Sequence, residues 1–303
     1  MLGAGDCICA HDDVCEFDWG RGDISGNVAA ERTDVKARAV VHANGAYLRL
    51  LVRSVVFDRR DMEKKAGSEL LLIANGVVGY EAANPIIRLR ELDLRVGDSL
   101  ILLGPSGSGK STILATIAGL LPPLNGAFSL KIDGEWREIA RGPAVVDPWP
   151  IWPTVTMVFQ DLQLFPNLTG RENCEIGLAN LGGTTDNIVK LADALAVAEC
   201  LDRLPGKMSQ GQRQRIAIVR ALCREPKLLL LDEPTAALDS VARERLLQLL
   251  TAEANKRGMA TIAATHDISF ASALNGIYLA LDSGQAIFAD DLASALQIYT
   301  KRA

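Results

Sequence analysis

The sequence predicts an α/β fold: a mostly parallel sheet with helices packed on it and a phosphate-binding loop at one strand end. Three observations carry this. From Ser68 onward, short apolar runs alternate with amphipathic stretches of helical period. Ser99–Leu103, Leu228–Leu231 and Thr261–Thr265 are largely apolar runs of the kind that form strands buried on both faces. Between the first run and a helical stretch lies Gly104-Pro105-Ser106-Gly107-Ser108-Gly109-Lys110-Ser111, a G-x-x-x-x-G-K-[ST] loop.

In chain order, residues 1–67 come first and differ from the rest. They mix Gly, Asp and Arg without sustained period, apart from an apolar run from Tyr47 to Phe57, and end in the charged stretch Asp58–Lys65. Two readings stand: a loosely ordered extension, or a mis-assigned start with Met62 as the true first residue. Cys7, Cys9, Cys15 and His11 cluster there, but their spacing matches no common zinc pattern and reads as incidental cysteines. Residues 68–303 form the predicted folded domain. Six cysteines in 303 residues suggest reduced thiols rather than a disulfide framework. The net charge of -5 gives no support to a nucleic-acid partner. No stretch approaches the roughly 18–20 apolar residues of a membrane span, and the N-terminus lacks the apolar region of a signal peptide.

Lys110 opens a helix whose Ile113, Leu114, Ile117 and Leu121 fall on one face, with Pro122-Pro123 as the stop. The loop therefore stands between strand and helix, the context its chemistry needs. Its glycines let backbone N–H groups turn toward phosphates, and the helix N-terminus adds positive potential. Lys110 is placed to reach the β- and γ-phosphates and the Ser111 hydroxyl to ligate Mg2+. Asp232 ends the second apolar run, on the side of a parallel sheet where ligands bind. It is the expected Mg2+ partner, with Glu233 next to it to polarise an attacking water. The third run ends at His266-Asp267.

Met208-Ser209-Gln210-Gly211-Gln212 precedes a further helix, and Ser209 with Gln212 forms an S-x-x-Q capping box. Ile216, Val219 and Cys223 recur on its apolar face, while Arg213 and Arg215 lie elsewhere. A helix tip with a hydroxyl and a glycine is a second anion site. Two such tips meet one nucleotide if two copies pair with nucleotide between them, as an isologous dimer does.

These motifs together resemble the nucleotide-binding subunit of an ATP-binding cassette (ABC) transporter over about residues 70–285. Met208–Gln212 is similar to the family signature L-S-G-G-Q, with Met208 and Gln210 in place of the usual leucine and first glycine. The resemblance implies a phosphate-loop ATPase fold of the ABC type, with a small antiparallel β-subdomain and a helical subdomain at about residues 161–225. It implies that Tyr80 stacks on adenine and that Gly104–Ser111 with Thr112 holds the phosphates. Gln160 is implied to touch Mg2+ and the attacking water, and His266 the γ-phosphate. Ser209, Gly211, Gln212 and Asp239, the last in the segment Ala237-Leu238-Asp239, are implied to act across a dimer interface. The interval from Lys110 to Gln160 is longer than usual, the excess falling in Trp136–Pro153, which reads as a lengthened turn of the β-subdomain, with a partner-facing loop as the alternative.

What the resemblance implies for function is ATP hydrolysis, with Mg2+, in an ATP-bridged homodimer or pseudo-dimer. That dimer powers solute transport through a separate multi-span membrane permease from the cytoplasmic face of the membrane. Phe165-Pro166-Asn167-Leu168-Thr169 resembles bacterial importer subunits. The alternative is an ABC ATPase that moves no solute, in cell division or cofactor assembly. The interval from Lys110 to Asp232 is too short for the coiled-coil insertions of chromosome-maintenance members. A phosphate-loop kinase or GTPase leaves the signature, Gln160 and His266 without a role.

Overall fold

The computed structural model describes residues 8–10, 14–16, 69–142, 144–145, 151–176, 178 and 185–300. Its contacts divide the chain into Met1–Ala66 and Gly67–Ala303. In the first unit β1 (Ile8–Ala10) pairs antiparallel with β2 (Val14–Glu16), which sets Cys9 opposite Cys15 in register. Cys7, His11 and the run Tyr47–Phe57 lie outside the described residues.

The second unit runs β3 (Glu69–Val78), β4 (Ile87–Arg95), β5 (Ser99–Leu103), α1 (Lys110–Ile117), β6 (Asn125–Ile132), β7 (Glu135–Arg141), β8 (Ala144–Val145) and β9 (Val155–Val158). Helices α2 (Gly170–Glu175), α3 (Thr185–Ala194) and α4 (Gln210–Leu222) follow, then β10 (Leu228–Asp232) and α5 (Ser240–Arg257). The chain closes with β11 (Ala260–Ala264), α6 (Ile268–Leu274), β12 (Ile277–Asp282), β13 (Gln285–Ala289) and α7 (Leu292–Thr300). Among the described residues β3–β13 form a single sheet in the order β8-β7-β6-β3-β4-β13-β12-β5-β11-β10-β9.

From β12 to β9 every neighbouring pair is parallel. The strands β8, β7, β6, β3 and β4 pair antiparallel. Strand β13 joins the two regions, antiparallel to β12 and parallel to β4. The parallel core with an antiparallel wing is the architecture expected above. Burial explains the division. Every residue of β10 and β11 is buried, as strands covered on both faces require. In β4, buried Ile87 and Leu89 alternate with exposed Arg88 and Arg90, so one face meets solvent. On the wing Lys131 lies opposite Trp136, its Nζ 5.8 Å from the ring centroid.

The parallel sheet separates two apolar layers. Leu229 and Leu231 of β10 pack with the helical layer of α2, α3, α4 and α5, while Leu228 and Leu230 pack with α1 and the wing. Successive side chains of a strand point to opposite faces, so one four-leucine run feeds both cores. In the helical layer buried Asn173 donates to the carbonyls of Phe165, Leu168 and Thr169 and accepts from Phe165 N–H, which fixes the 165–169 turn. No helix among the described residues is long and apolar enough to cross a membrane.

One expected boundary is corrected. Helix α1 stops at Ile117, before Pro122-Pro123, so Leu121 is not on its apolar face. Gly119 adopts φ +70 and donates to Thr116 O at 3.0 Å, while Leu120 N–H reaches Ala115 O at 2.9 Å. This is a Schellman cap, and a glycine that accepts a left-handed backbone ends the helix. In the segment Trp136–Pro153, Trp136 lies in β7 and β8 extends the wing; Trp149 lies outside the described residues.

Candidate nucleotide site

The site forms at the carboxyl ends of β5, β10 and β11. After β5 the chain turns through Gly107 (φ +78) and Gly109 (φ +98), backbone positions that L side chains rarely adopt. A Cβ on Gly109 would lie 2.7 Å from Ile86 Cγ2, so a side chain is also excluded by space. Gly109 caps α1 with no side-chain hydrogen bond, which leaves the first-turn N–H groups of the helix for an outside acceptor. Lys110 is buried, and its Nζ donates to Gly104 O at 2.8 Å and Pro105 O at 3.1 Å. Burial pulls its ammonium below the usual lysine range, and the nearby Glu233 and Asp232 carboxylates oppose that. Ser108 Oγ is buried with no hydrogen-bond partner.

Asp232 closes β10, where the all-apolar run commits it to the sheet's edge beside the loop. Burial pushes its carboxyl up, opposed by a hydrogen bond from the Ser111 hydroxyl. Glu233 follows with φ +50, in the left-handed region. For a residue with a Cβ that costs on the order of 1–2 kcal/mol, and neighbours hold it there. Its N–H donates to Ala264 O at 2.9 Å, and its carbonyl accepts from Gln214 Nε2 at 3.1 Å. Its Oε2 accepts from the His266 N–H at 3.3 Å and lies 2.8 Å from His266 Nδ1. Next to His266, Asp267 caps α6 through Phe270 N–H at 3.1 Å and pairs with Arg243 Nε at 3.0 Å, which anchors the segment carrying the histidine.

These residues open on one cavity of about 610 Å3. It is lined by Ser106, Gly107, Gly109, Lys110, Ser111 and Thr112 of the loop, by Asp232 and Glu233, and by Tyr80, Gln160 and His266. Gly104, Pro105 and Ser108 are not among the lining residues; the first two accept from Lys110 Nζ. Tyr80 is 73% exposed, a ring with a free face at the cavity. Ile86 and Ala236 also line it, although no sequence pattern marks either. They have no motif; only the folded chain brings them to the loop.

The remaining expected residues are elsewhere. Ser209 caps α4: its Oγ accepts from Gln212 N–H at 3.2 Å, and Gln212 Oε1 accepts from Ser209 N–H at 2.8 Å. The capping box thus forms as its spacing predicts. Gly211 passes so close to Ala237 that a Cβ would lie 2.7 Å from its carbonyl oxygen. Asp239 caps α5 through Ala242 N–H at 2.7 Å. Ser209, Gly211, Gln212 and Asp239 are not among the cavity's lining residues. Met208 is buried and Gln210 is exposed at the first position of α4, and the capping box at the helix tip is formed.

Known proteins are similar to this chain. The family model described as ABC transporter matches residues 89–236. A thiamine import ATP-binding protein, ThiQ of Vibrio parahaemolyticus, is 36% identical over 225 residues, 70% of this chain and 92% of that protein. An sn-glycerol-3-phosphate import ATP-binding protein, UgpC of Vibrio vulnificus, is 34% identical over 71% of this chain and 56% of its own length. The dimeric ATP-binding cassette MJ0796, in a post-hydrolysis state bound to ADP and phosphate, superposes with TM-score 0.62 at 28% identity, covering 72% of this chain and 96% of that one. The chain belongs to the ABC transporter family, as the ATP-binding and ATP-hydrolysing subunit that powers transport.

Proposed function

We propose that this chain powers import, pairing with a second cassette across two ATP molecules and driving a separate multi-span permease from the cytoplasmic face of the membrane. The observation that carries the reading is the split of the motifs: loop, Asp232, Glu233 and His266 share one cavity, while Ser209 and Gly211 sit on a helix tip outside its lining. The second set is then free to meet the ATP of a neighbour. Import is supported by the names of the similar proteins. Thiamine and glycerol-phosphate relatives stand at 36% and 34% identity, which supports solute choice in the permease rather than in the cassette.

In this reading Tyr80 stacks on the adenine, and the loop N–H groups with Lys110 hold the phosphates. Displacing the Lys110 ammonium from the Gly104 and Pro105 carbonyls moves it onto the phosphate oxygens. The Ser111 hydroxyl, the Asp232 carboxylate and Gln160 are hard oxygen donors on the same cavity, a set that suits Mg2+. The fit is supported by charge: Asp232 and Glu233 lie together with Lys110 as the buried cation beside them. When bound, Mg2+ offsets the charge that develops on the phosphates. Glu233 accepts the proton of the attacking water, and His266, held to Glu233 Oε2, orients at the γ-phosphate. Ser209, Gly211, Gln212 and Asp239 act on the neighbour's nucleotide and interface. Closure is favoured by ATP because the closed pair binds it better, and hydrolysis removes the bridge.

Glu233→Gln tests the base role. Turnover is expected to fall about a hundredfold or more, with retained ATP binding measured by titration of a fluorescent analogue. Near-normal turnover removes Glu233 from that role.

A further inference from the structure

Gln214 is a buried polar side chain near the site that the roles above leave without a task. It lies in Gln210-Gly211-Gln212-Arg213-Gln214-Arg215, a run whose composition suggests solvent, yet it is only 3% exposed. Burying a neutral amide is favourable only when it is hydrogen-bonded. Its Nε2 donates to the main-chain carbonyl of Glu233 at 3.1 Å. Glu233 has φ +50, a backbone state that persists when its surroundings over-determine it. Two bonds do so: its N–H to Ala264 O at 2.9 Å, on the sheet side, and its carbonyl to Gln214, on the side of α4. The same helix touches the segment after Glu233 once more, where Gly211 leaves just enough room for Ala237 O. The helix whose tip carries Ser209 and the turn that carries Glu233 are therefore packed as one piece.

We propose that Gln214 is a positioning residue for ATP hydrolysis: it holds the left-handed backbone of Glu233 so that the carboxylate stays aimed into the cavity, and ties it to the signature helix. The inference rests on the base role of Glu233 proposed above. Loss of the bond lets the turn relax toward ordinary backbone angles, and a catalytic group misplaced by about 1 Å costs on the order of a hundredfold in rate.

The test is a double-mutant cycle on the full chain: unmodified protein, Gln214→Met, Glu233→Gln and the pair, with kcat, KM and binding of a fluorescent ATP analogue for each. Gln214→Met removes the donor at nearly constant volume. It is expected to lower kcat about tenfold to a hundredfold, with KM within about twofold. In the Glu233→Gln background the same substitution is expected to change residual turnover less than about twofold, because its effect acts through Glu233. Gln214→Glu, the same shape with an acceptor for a donor, is a parallel arm with the same expected pattern and stands alone if the Met variant does not fold. Unchanged kcat, or an equal loss in both backgrounds, overturns the role of Gln214 while leaving Glu233 as the base. Should Glu233→Gln itself leave turnover intact, the base role fails and this inference fails with it.

Discussion

The two helix tips proposed to bind phosphate are built in opposite ways. Helix α1 begins at Gly109, left-handed and without a side-chain cap, and Lys110 folds back onto the Gly104 and Pro105 carbonyls. Helix α4 begins at Ser209, whose hydroxyl and the Gln212 amide satisfy each other's backbone groups. The first tip leaves its donors for a ligand and is incomplete alone. The second is stable as it stands, with one of its first-turn N–H groups already bonded. On the proposed function, the open tip is the one that wraps a nucleotide, and the finished tip is the one that meets the nucleotide of another copy.

The largest expected contrast is in nucleotide affinity. Lys110→Ala removes charge-assisted bonds worth about 1.5–3 kcal/mol, so ATP-analogue binding is expected to weaken tenfold to a hundredfold. Ser209→Ala removes only a cap, costing about 1 kcal/mol of stability, and is expected to leave single-chain affinity unchanged. Equal losses of affinity from the two variants would erase the distinction between the tips.

Gly109→Ala sharpens the same point through stability. It meets a backbone at φ +98 and Ile86 at 2.7 Å, whereas Gly107→Ala meets a backbone at φ +78 and open space. Urea unfolding is expected to show a loss of about 2–4 kcal/mol for Gly109→Ala, from strain and crowding together. For Gly107→Ala the expected loss is about 1–2 kcal/mol, from strain alone. A reversed order would contradict the packing of the loop against Ile86.

The smallest effect concerns the buried carboxylate. Burial raises the Asp232 pKa above the ordinary 3.8, so its contribution to the stability of the nucleotide-free chain is favourable at low pH and is lost as pH rises through the folded-state value. Asp232→Asn is therefore expected to raise the melting temperature at neutral pH, with the gain shrinking as pH falls from the raised folded-state value toward the ordinary 3.8. Hydrolysis is expected to be lost in the same variant. A gain that grows toward low pH would invert the sign and reject burial as the cause.

Much of this was legible in the sequence because it is local. The four-leucine run before Asp232 writes a strand buried on both faces, and Ser209 with Gln212 writes a cap. What was hidden depends on tertiary contact. Gln214 looks solvent-facing among its polar neighbours until the turn at Glu233 supplies a carbonyl for it. Ile86 reaches the cavity only because β4 and the loop meet. Pro122-Pro123 marks a later stop for α1 in the sequence, but the left-handed backbone of Gly119, fixed by cap geometry, closes the helix first.

The division of labour between the two tips is tested most directly by sedimentation of the Glu233→Gln chain with and without ATP. A monomer without nucleotide and a dimer with ATP is the expected result. Adding Ser209→Glu, which sets a carboxylate against the neighbour's phosphates, is expected to return the monomer while ATP-analogue affinity stays within about twofold. A dimer indifferent to Ser209→Glu, or an affinity lost along with it, would contradict a nucleotide shared between one chain's loop and the other's signature helix.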